Sequence, residues 1–379
     1  MTSWKRFSRD GDITPLTTEN LPAAPAWREF MDADTFAGYQ QEDERRRAHI
    51  QTQAQRDPRS NERGESFRIR EPEIVDAVNA ALYLRRPLLV TGKPGSGKTS
   101  LAYAIARKLE LGTVLHWPVN ARSTLTDALY RYDAIARLQN SQLEETQKKR
   151  AIGNYITLGA VGTAFLPAAL PRVLLIDEID KCDINLPNDL LELFEEGRYD
   201  IPELVRAQTG DLDAIESEGV DNSDNSGESG ESDNSSVLTT RVRTADPDLS
   251  ATIRGGRVQC YQFPIVVMTS NGERDFPPAF LRRCLRLQMP DPTKNAAALE
   301  DIVEAHLKRG KDKTRWADMK AEIDSLIREF TNKRDSPLGD VATDQLLNAV
   351  YLLTREVSPD VDERDRLRTM LLRELSQGD

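Results

Sequence analysis

A parallel α/β sheet flanked by helices, followed by a small all-helical domain, is the fold class this sequence predicts. Short apolar runs alternate with helical patterns from Phe67 to Pro290, and a glycine-rich turn joins the first run to the helix behind it. After Pro290 the strand-like runs stop. The first helix is EPEIVDAVNAALYL (71–84), where Ile74, Val78 and Ala81 share one face. PLLVT (87–91) is short and continuously apolar, as a strand covered on both faces must be. Beyond the turn, Leu101, Ile105 and Leu109 are spaced for a second helix that Gly112 closes. TVLHWPV (113–119) reads as a second strand, and STLTDALYRYDAIARLQ (123–139) as a helix opening on a Ser or Thr cap. RVLLI (172–176), FPIVVMTS (263–270) and LRLQM (285–289) supply three further strands, with a helix over 184–196 closed by Gly197. Helical patterns then follow at 293–308, 314–330, 343–354 and 361–375.

The 379 residues are enough for two or three domains and a core that needs no covalent staple. Three units are expected: an N-terminal extension over 1–66, partly disordered; the α/β domain over 67–290; and the helical domain over 291–379. Residues 1–66 carry charged, helix-like stretches and no strong strand. The run DNSDNSGESGESDNSS (221–236) offers nothing to bury, so about 205–250 is expected to be a disordered acidic insertion. Between Asp211 and Ser236 lie nine of the 62 acidic residues and none of the 51 basic ones. A formal charge of -11 argues against a broad phosphate-neutralising face, so a nucleic-acid partner is not expected. Cys182, Cys260 and Cys284 form no CxxC pair and the three histidines are far apart, which argues against a disulfide framework or a zinc site. The start, MTSWKRFSRDGD, has no apolar leader, and a cytoplasmic location is expected. The uncharged stretch 151–171 has the length of a membrane span. Its three glycines, two prolines and an asparagine favour a Gly-rich loop or hairpin instead.

The chemistry concentrates in three places. GKPGSGKT (92–99) matches G-x-x-x-x-G-K-[ST] between a predicted strand and a predicted helix, the context such a phosphate-binding loop requires. Its glycines let main-chain N–H groups approach a phosphate, and the helix start adds the positive end of a dipole. Lys98 brings a cation to the β- and γ-phosphates, and Thr99 a hydroxyl to Mg²⁺. VLLIDEID (173–180) ends an apolar strand in carboxylates. Asp177 is placed to serve the metal and Glu178 to polarise an attacking water, while Asp180 reads as a helix cap or surface group. PIVVMTSN ends in Asn271, whose amide can face the γ-phosphate or the water. In FPPAFLRRCLRL (276–287), Arg282 and Arg283 either complement a helix dipole or act as an arginine finger toward an adjacent subunit.

Together these features resemble an AAA+ ATPase: a P-loop NTPase sheet followed by a helical lid. The runs EIVDAVNAALYLRRPLLVTGKPGSGKTSLAYAIA, NLPNDLLELFEEG and IVVMTSNGERDFPPAFLRR are similar to the MoxR-like branch. The resemblance covers about 67–379 without the acidic insertion. It implies ATP held by Gly92, Lys93, Pro94, Gly95, Ser96, Gly97, Lys98, Thr99 and Ser100, with Mg²⁺ at Thr99 and Asp177. It implies catalysis by Glu178, Asn271 as sensor 1, and Arg283 before Arg282 as the finger. It makes 151–171 the helix-2 insertion, glycine-rich and apolar where exposed on the pore face. It further implies a hexameric ring remodelling a client protein, with a von Willebrand factor A domain protein as partner. A slow-turnover switch or scaffold in a bacterial defence or stress system is the alternative. One departure stands out: the family often opens a lid helix with Ser-Pro-Arg, whereas this chain has Ser336-Pro337-Leu338, leaving Arg334 as a substitute for sensor 2.

Overall fold

Continuous apolar runs become central strands because a strand covered on both faces withdraws every side chain from water. The computed structural model describes residues 4–9, 13–69, 71–143, 151–207, 238–291, 296–307, 313–334 and 343–353, with 363, 366, 367 and 370 beyond them. Its strands are β1 (Leu88–Thr91), β2 (Leu115–Pro118), β3 (Tyr130–Tyr132), β4 (Ile156–Leu158), β5 (Val173–Asp177), β6 (Arg198–Asp200), β7 (Thr239–Arg243), β8 (Ser250–Arg254), β9 (Arg257–Gln259), β10 (Ile265–Ser270) and β11 (Leu285–Gln288). The first sheet has the order β11-β1-β10-β5-β2 and is parallel throughout. Every residue of β10 is buried. Thr91 lies opposite Ser270, and Met268 opposite Ile176, so β1, β10 and β5 end at one edge of the sheet. That edge is where open parallel sheets place their ligands. The helix Lys98–Lys108 buries Leu101, Ala104 and Ile105 in the same cluster as Val173 and Leu175 of β5.

A second sheet, with the order β3-β4-β7-β8-β9-β6, is absent from the sequence reading. Its pairs are antiparallel except β4 with β7. It corrects two expectations. The helix expected over 123–139 is broken: Thr124 caps a short helix Leu125–Leu129, Tyr130 turns to extended backbone, β3 follows, and a helix resumes at Ala134–Leu143. Tyr130 and Tyr132 alternate with Arg131 and pair with Leu158 and Ile156, a two-residue period that the flanking helical pattern masks. The expectation of a disordered insertion over 205–250 fails at its C-terminal end, because β7 and β8 form a hairpin over 239–254. Residues 208–237, which hold the acidic run, lie outside the described residues.

The uncharged stretch 151–171 is a correction too. It forms a 3₁₀ turn at Ile152–Tyr155, then β4, then a helix Ala160–Ala164, and its apolar residues are buried rather than exposed: Ile156, Val161 and Phe165 are at 0%. Gly162 is there for close approach, since a Cβ would come within 1.9 Å of the Leu129 carbonyl oxygen. One hydrophobic cluster joins Leu174, Ile176, Val266 and Met268 of the first sheet to Ile156, Val242, Ala251 and Val258 of the second. No helix among the described residues is long and apolar enough to cross a membrane.

The segment before Phe67 is helical at Ala33–Ala37, Gln40–Arg56 and Pro58–Ser66. It is fastened to the α/β core. Phe7 is fully buried, and the Asn79 side chain accepts from Arg6 and Phe7 N–H and donates to the Phe7 carbonyl. Thr14 and Leu16 donate N–H bonds to the carbonyls of Lys108 and Leu109, capping the open end of the P-loop helix. On the C-terminal side, helices Ala296–Leu307, Lys313–Arg334 and Thr343–Leu353 share a core of Leu299, Val303, Ile323, Phe330, Leu346 and Val350. The lid-helix start at Ser336-Pro337-Leu338 and most of the helix expected at 361–375 lie outside the described residues.

Candidate functional site

The loop between β1 and the helix Lys98–Lys108 turns on Gly95 and Gly97, at φ 76° and 85°, a region only glycine enters freely. At Gly97 a Cβ would also press within 3.0 Å of the Phe67 ring. The first N–H groups of the helix have no partner inside it, so the loop and helix start together form an anion cradle. Lys98 is 8% exposed and its ammonium donates to the Gly92 and Lys93 carbonyls at 2.7 and 2.9 Å. Burial lowers its pKa, opposed by the charges of Asp180, Asp177 and Glu178. Ser96 Oγ is buried without a hydrogen-bond partner, an orphaned polar atom inside the cradle. At the rim, Lys93 pairs with Asp291 at 3.5 Å.

Asp177 closes β5 opposite this loop. Its Oδ1 accepts from the Thr99 hydroxyl at 3.0 Å and from the Thr269 hydroxyl at 2.6 Å, and Oδ2 faces His116 Nε2 at 3.3 Å. Burial alone would raise its pKa, but the bonds from His116, Thr269 and Thr99 outweigh it and hold the carboxyl below its ordinary value. Glu178 leaves the strand in the left-handed region, φ 60° and ψ 47°. Non-glycine residues are rare there and cost about 1–3 kcal/mol. Its N–H donates to Thr269 Oγ1 at 2.9 Å, and its carboxylate accepts from Lys181 at 2.9 Å. That bond raises the Lys181 pKa.

The structure therefore brings Lys98, Thr99, Asp177 and Glu178 together at one sheet edge. Asn271 follows β10 beside them, its N–H held by Asp180 at 2.8 Å and its side-chain amide facing Glu273 at 3.4 Å. Asp180 is neither a helix cap nor a surface group. It is 4% exposed, and its Oδ2 accepts from both Asn271 and Glu273 N–H. Arg283 donates to Glu195 at 2.8 Å and to the Ala279 carbonyl, while Arg282 is exposed. No hydrogen bond or ion pair among the described residues joins either arginine to the loop. Sequence reading missed Thr269, His116 and Lys181. A hydroxyl in the fully buried run IVVMTS is the one signal that could have marked Thr269.

The family profile of the AAA domain (dynein-related subfamily) matches residues 87–284, just over half of the chain. The chain belongs to this family. The loop, helix and acidic strand end described above all fall inside the matched span. Crystal structures of NtrX from Brucella abortus share 12% identity in complex with ADP and 13% in complex with ATP, with TM-scores of 0.33 and 0.30. They cover 78% and 80% of this chain, and the chain spans 51% and 60% of theirs. No curated protein matches.

The residues present fit Mg-ATP. The orphaned Ser96 hydroxyl and the glycine-lined turn suit phosphate oxygens. Thr99 and Asp177 offer the hard oxygen donors that Mg²⁺ takes alongside substrate phosphates.

Proposed function

We propose that this AAA domain protein is a MoxR-like ATPase that couples ATP hydrolysis to remodelling of a partner protein within a homo-oligomeric ring, a hexamer, in the cytoplasm. One observation carries the catalytic part: Asp177 Oδ1 receives the Thr99 hydroxyl while the next residue, Glu178, is twisted off the strand toward the same edge. Loop N–H groups between Gly92 and Ser100, Pro94 having none, and the Lys98 ammonium would bind the β- and γ-phosphates. Thr99 and Asp177 would hold Mg²⁺, which neutralises charge on the phosphates when bound. Glu178 takes the proton of the attacking water, Asn271 orients that water, and Arg283 reaches the nucleotide of an adjacent subunit. The client is a protein, with a von Willebrand factor A domain as the family-based candidate.

Glu178→Gln keeps size and polarity but cannot accept a proton. ATP turnover should fall by about 10²–10⁴-fold while ADP binding, read by calorimetry, is retained. Wild-type turnover in this variant would remove Glu178 from the chemistry, and lost binding would make it structural.

A second reading has its own support. The Lys181–Glu178 pair at 2.9 Å occupies the carboxylate that must act as base. A nucleotide-dependent switch or scaffold would use such a restraint to keep hydrolysis slow. Steady-state turnover below about one per hour would favour it, and turnover of about one per second or faster would favour the motor.

A further inference from the structure

Thr269 lies in β10, between the strand that feeds the P-loop and the strand that carries Asp177 and Glu178. It sits opposite Val90, and its neighbour Met268 sits opposite Ile176, so it is level with the last residues of both functional strands. The residue is 1% exposed. A hydroxyl has one proton and two lone pairs, and both kinds of capacity are used here. The Glu178 N–H can only donate, so at 2.9 Å the Thr269 oxygen accepts from it. The ionised Asp177 carboxylate can only accept, so the Thr269 proton points at Oδ1, 2.6 Å away. The direction of both bonds is therefore fixed without reference to any hydrogen position.

We propose that Thr269 is a positioning residue for hydrolysis, its hydroxyl locking the metal-holding carboxylate of Asp177 to the main chain of the proton-accepting Glu178. This rests on the roles given above to Asp177 and Glu178, and deepens them. The bond to Glu178 satisfies an N–H that leaves the strand ladder where the chain turns to φ 60°, and so fixes where the glutamate side chain begins. The bond to Asp177 is short and charge-assisted, and it shares Oδ1 with Thr99 of the loop. One side chain thereby sets the distance between the two acids and the P-loop. With its hydroxyl engaged by Asp177 and Glu178, the residue acts through the acids.

Thr269→Val keeps the branched shape and deletes both bonds, whereas Thr269→Ser keeps both bonds and deletes a methyl. Misplacing a catalytic group by about 1 Å costs up to about 100-fold in rate. Turnover of Thr269→Val should accordingly drop by about 10- to 100-fold, and Thr269→Ser should stay within about threefold of wild type. ADP titrated calorimetrically in EDTA should bind both variants as it binds wild type, because the Lys98 contacts are untouched. The extra affinity gained on adding Mg²⁺ should shrink in the valine variant alone. A role in packing predicts the reverse ranking, with valine benign and serine damaged, and that ranking would overturn the proposal. So would wild-type turnover in Thr269→Val while Glu178→Gln is inactive, leaving the site itself intact. Full activity of Glu178→Gln would instead overturn the underlying site. Should Thr269→Val lose its cooperative thermal transition, Thr269→Cys takes its place: a weak donor of similar size, it should turn over more slowly than serine.

Discussion

Asp180 shows how a single carboxylate can be misread one residue at a time. In IDEID its neighbours Asp177 and Glu178 are expected at the site because they follow an apolar strand some distance after a P-loop, a motif spacing readable from sequence. Asp180 has no such spacing to speak for it. Its role comes from the parallel register that brings β10 beside β5, where it caps the N–H groups of Asn271 and Glu273. Thr269 and His116 escape sequence reading for the same reason, since their partner Asp177 is on another strand. The loop residues 92–99 and the two acids were legible because contiguous sequence builds them. Asp180→Ala leaves two N–H donors unpaired, and each such loss costs about 1–3 kcal/mol when buried. Glu273 is exposed, so water recovers part of this, and a loss of about 1–3 kcal/mol in total is expected from urea unfolding. Asp180→Asn, which keeps an accepting oxygen, should lose less. Equal loss in both variants would mean that the negative charge matters more than the cap.

At the scale of elements, the two sheets differ in how loudly their sequences speak. The first is covered on both faces and is written as unbroken apolar runs. The second uses strands of three to five residues with one face buried, such as TTRVR, whose burial alternates along the strand. Its members are separated in sequence by the span 208–237, and β4 meets β7 at a single registered pair, Thr157 with Arg243. A charge pair fastens it beside the hydrophobic cluster the two sheets share. Arg172, just before β5, donates two bonds of 2.8 Å to Asp246 in the β7–β8 turn and a third to the Thr113 carbonyl before β2. Both side chains are under 10% exposed. Removing one partner of a buried pair strands the other charge, at a cost of about 3–5 kcal/mol. Arg172→Met should lower unfolding free energy by about that amount. Adding Asp246→Leu should recover much of it, because two apolar groups can replace a buried pair at little cost. A double variant less stable than the single one would show that the pair holds the hairpin by geometry that apolar contact cannot supply.

At the scale of the whole molecule, the N-terminal segment reaches the residue proposed as finger. Arg28 is 4% exposed and donates to the Phe194 carbonyl at 2.7 Å, and its guanidinium lies 3.5 Å from Glu195. Glu195 also holds Arg283 at 2.8 Å. Burial lowers the Arg28 pKa, opposed by the charge of Glu195, so the carboxylate is shared between a buried arginine and a half-exposed one. Arg28 keeps Glu195 paired whichever way Arg283 turns, and Glu195 is itself exposed, so release of Arg283 toward a neighbouring subunit costs little. A finger acting in trans is worth about 10³–10⁵-fold in rate. Arg283→Ala should therefore cut turnover of the assembled protein by about 10³-fold, with ADP binding unchanged. Glu178→Gln subunits are inactive themselves but present an intact Arg283. Mixing the two inactive proteins at fixed total concentration should raise turnover to a maximum at intermediate ratios, since an Arg283→Ala site next to a Glu178→Gln subunit regains both base and finger. Activity that simply falls in proportion to the Arg283→Ala fraction, together with full turnover in Arg283→Ala alone, would place the finger elsewhere, and Arg282 is the next residue to test.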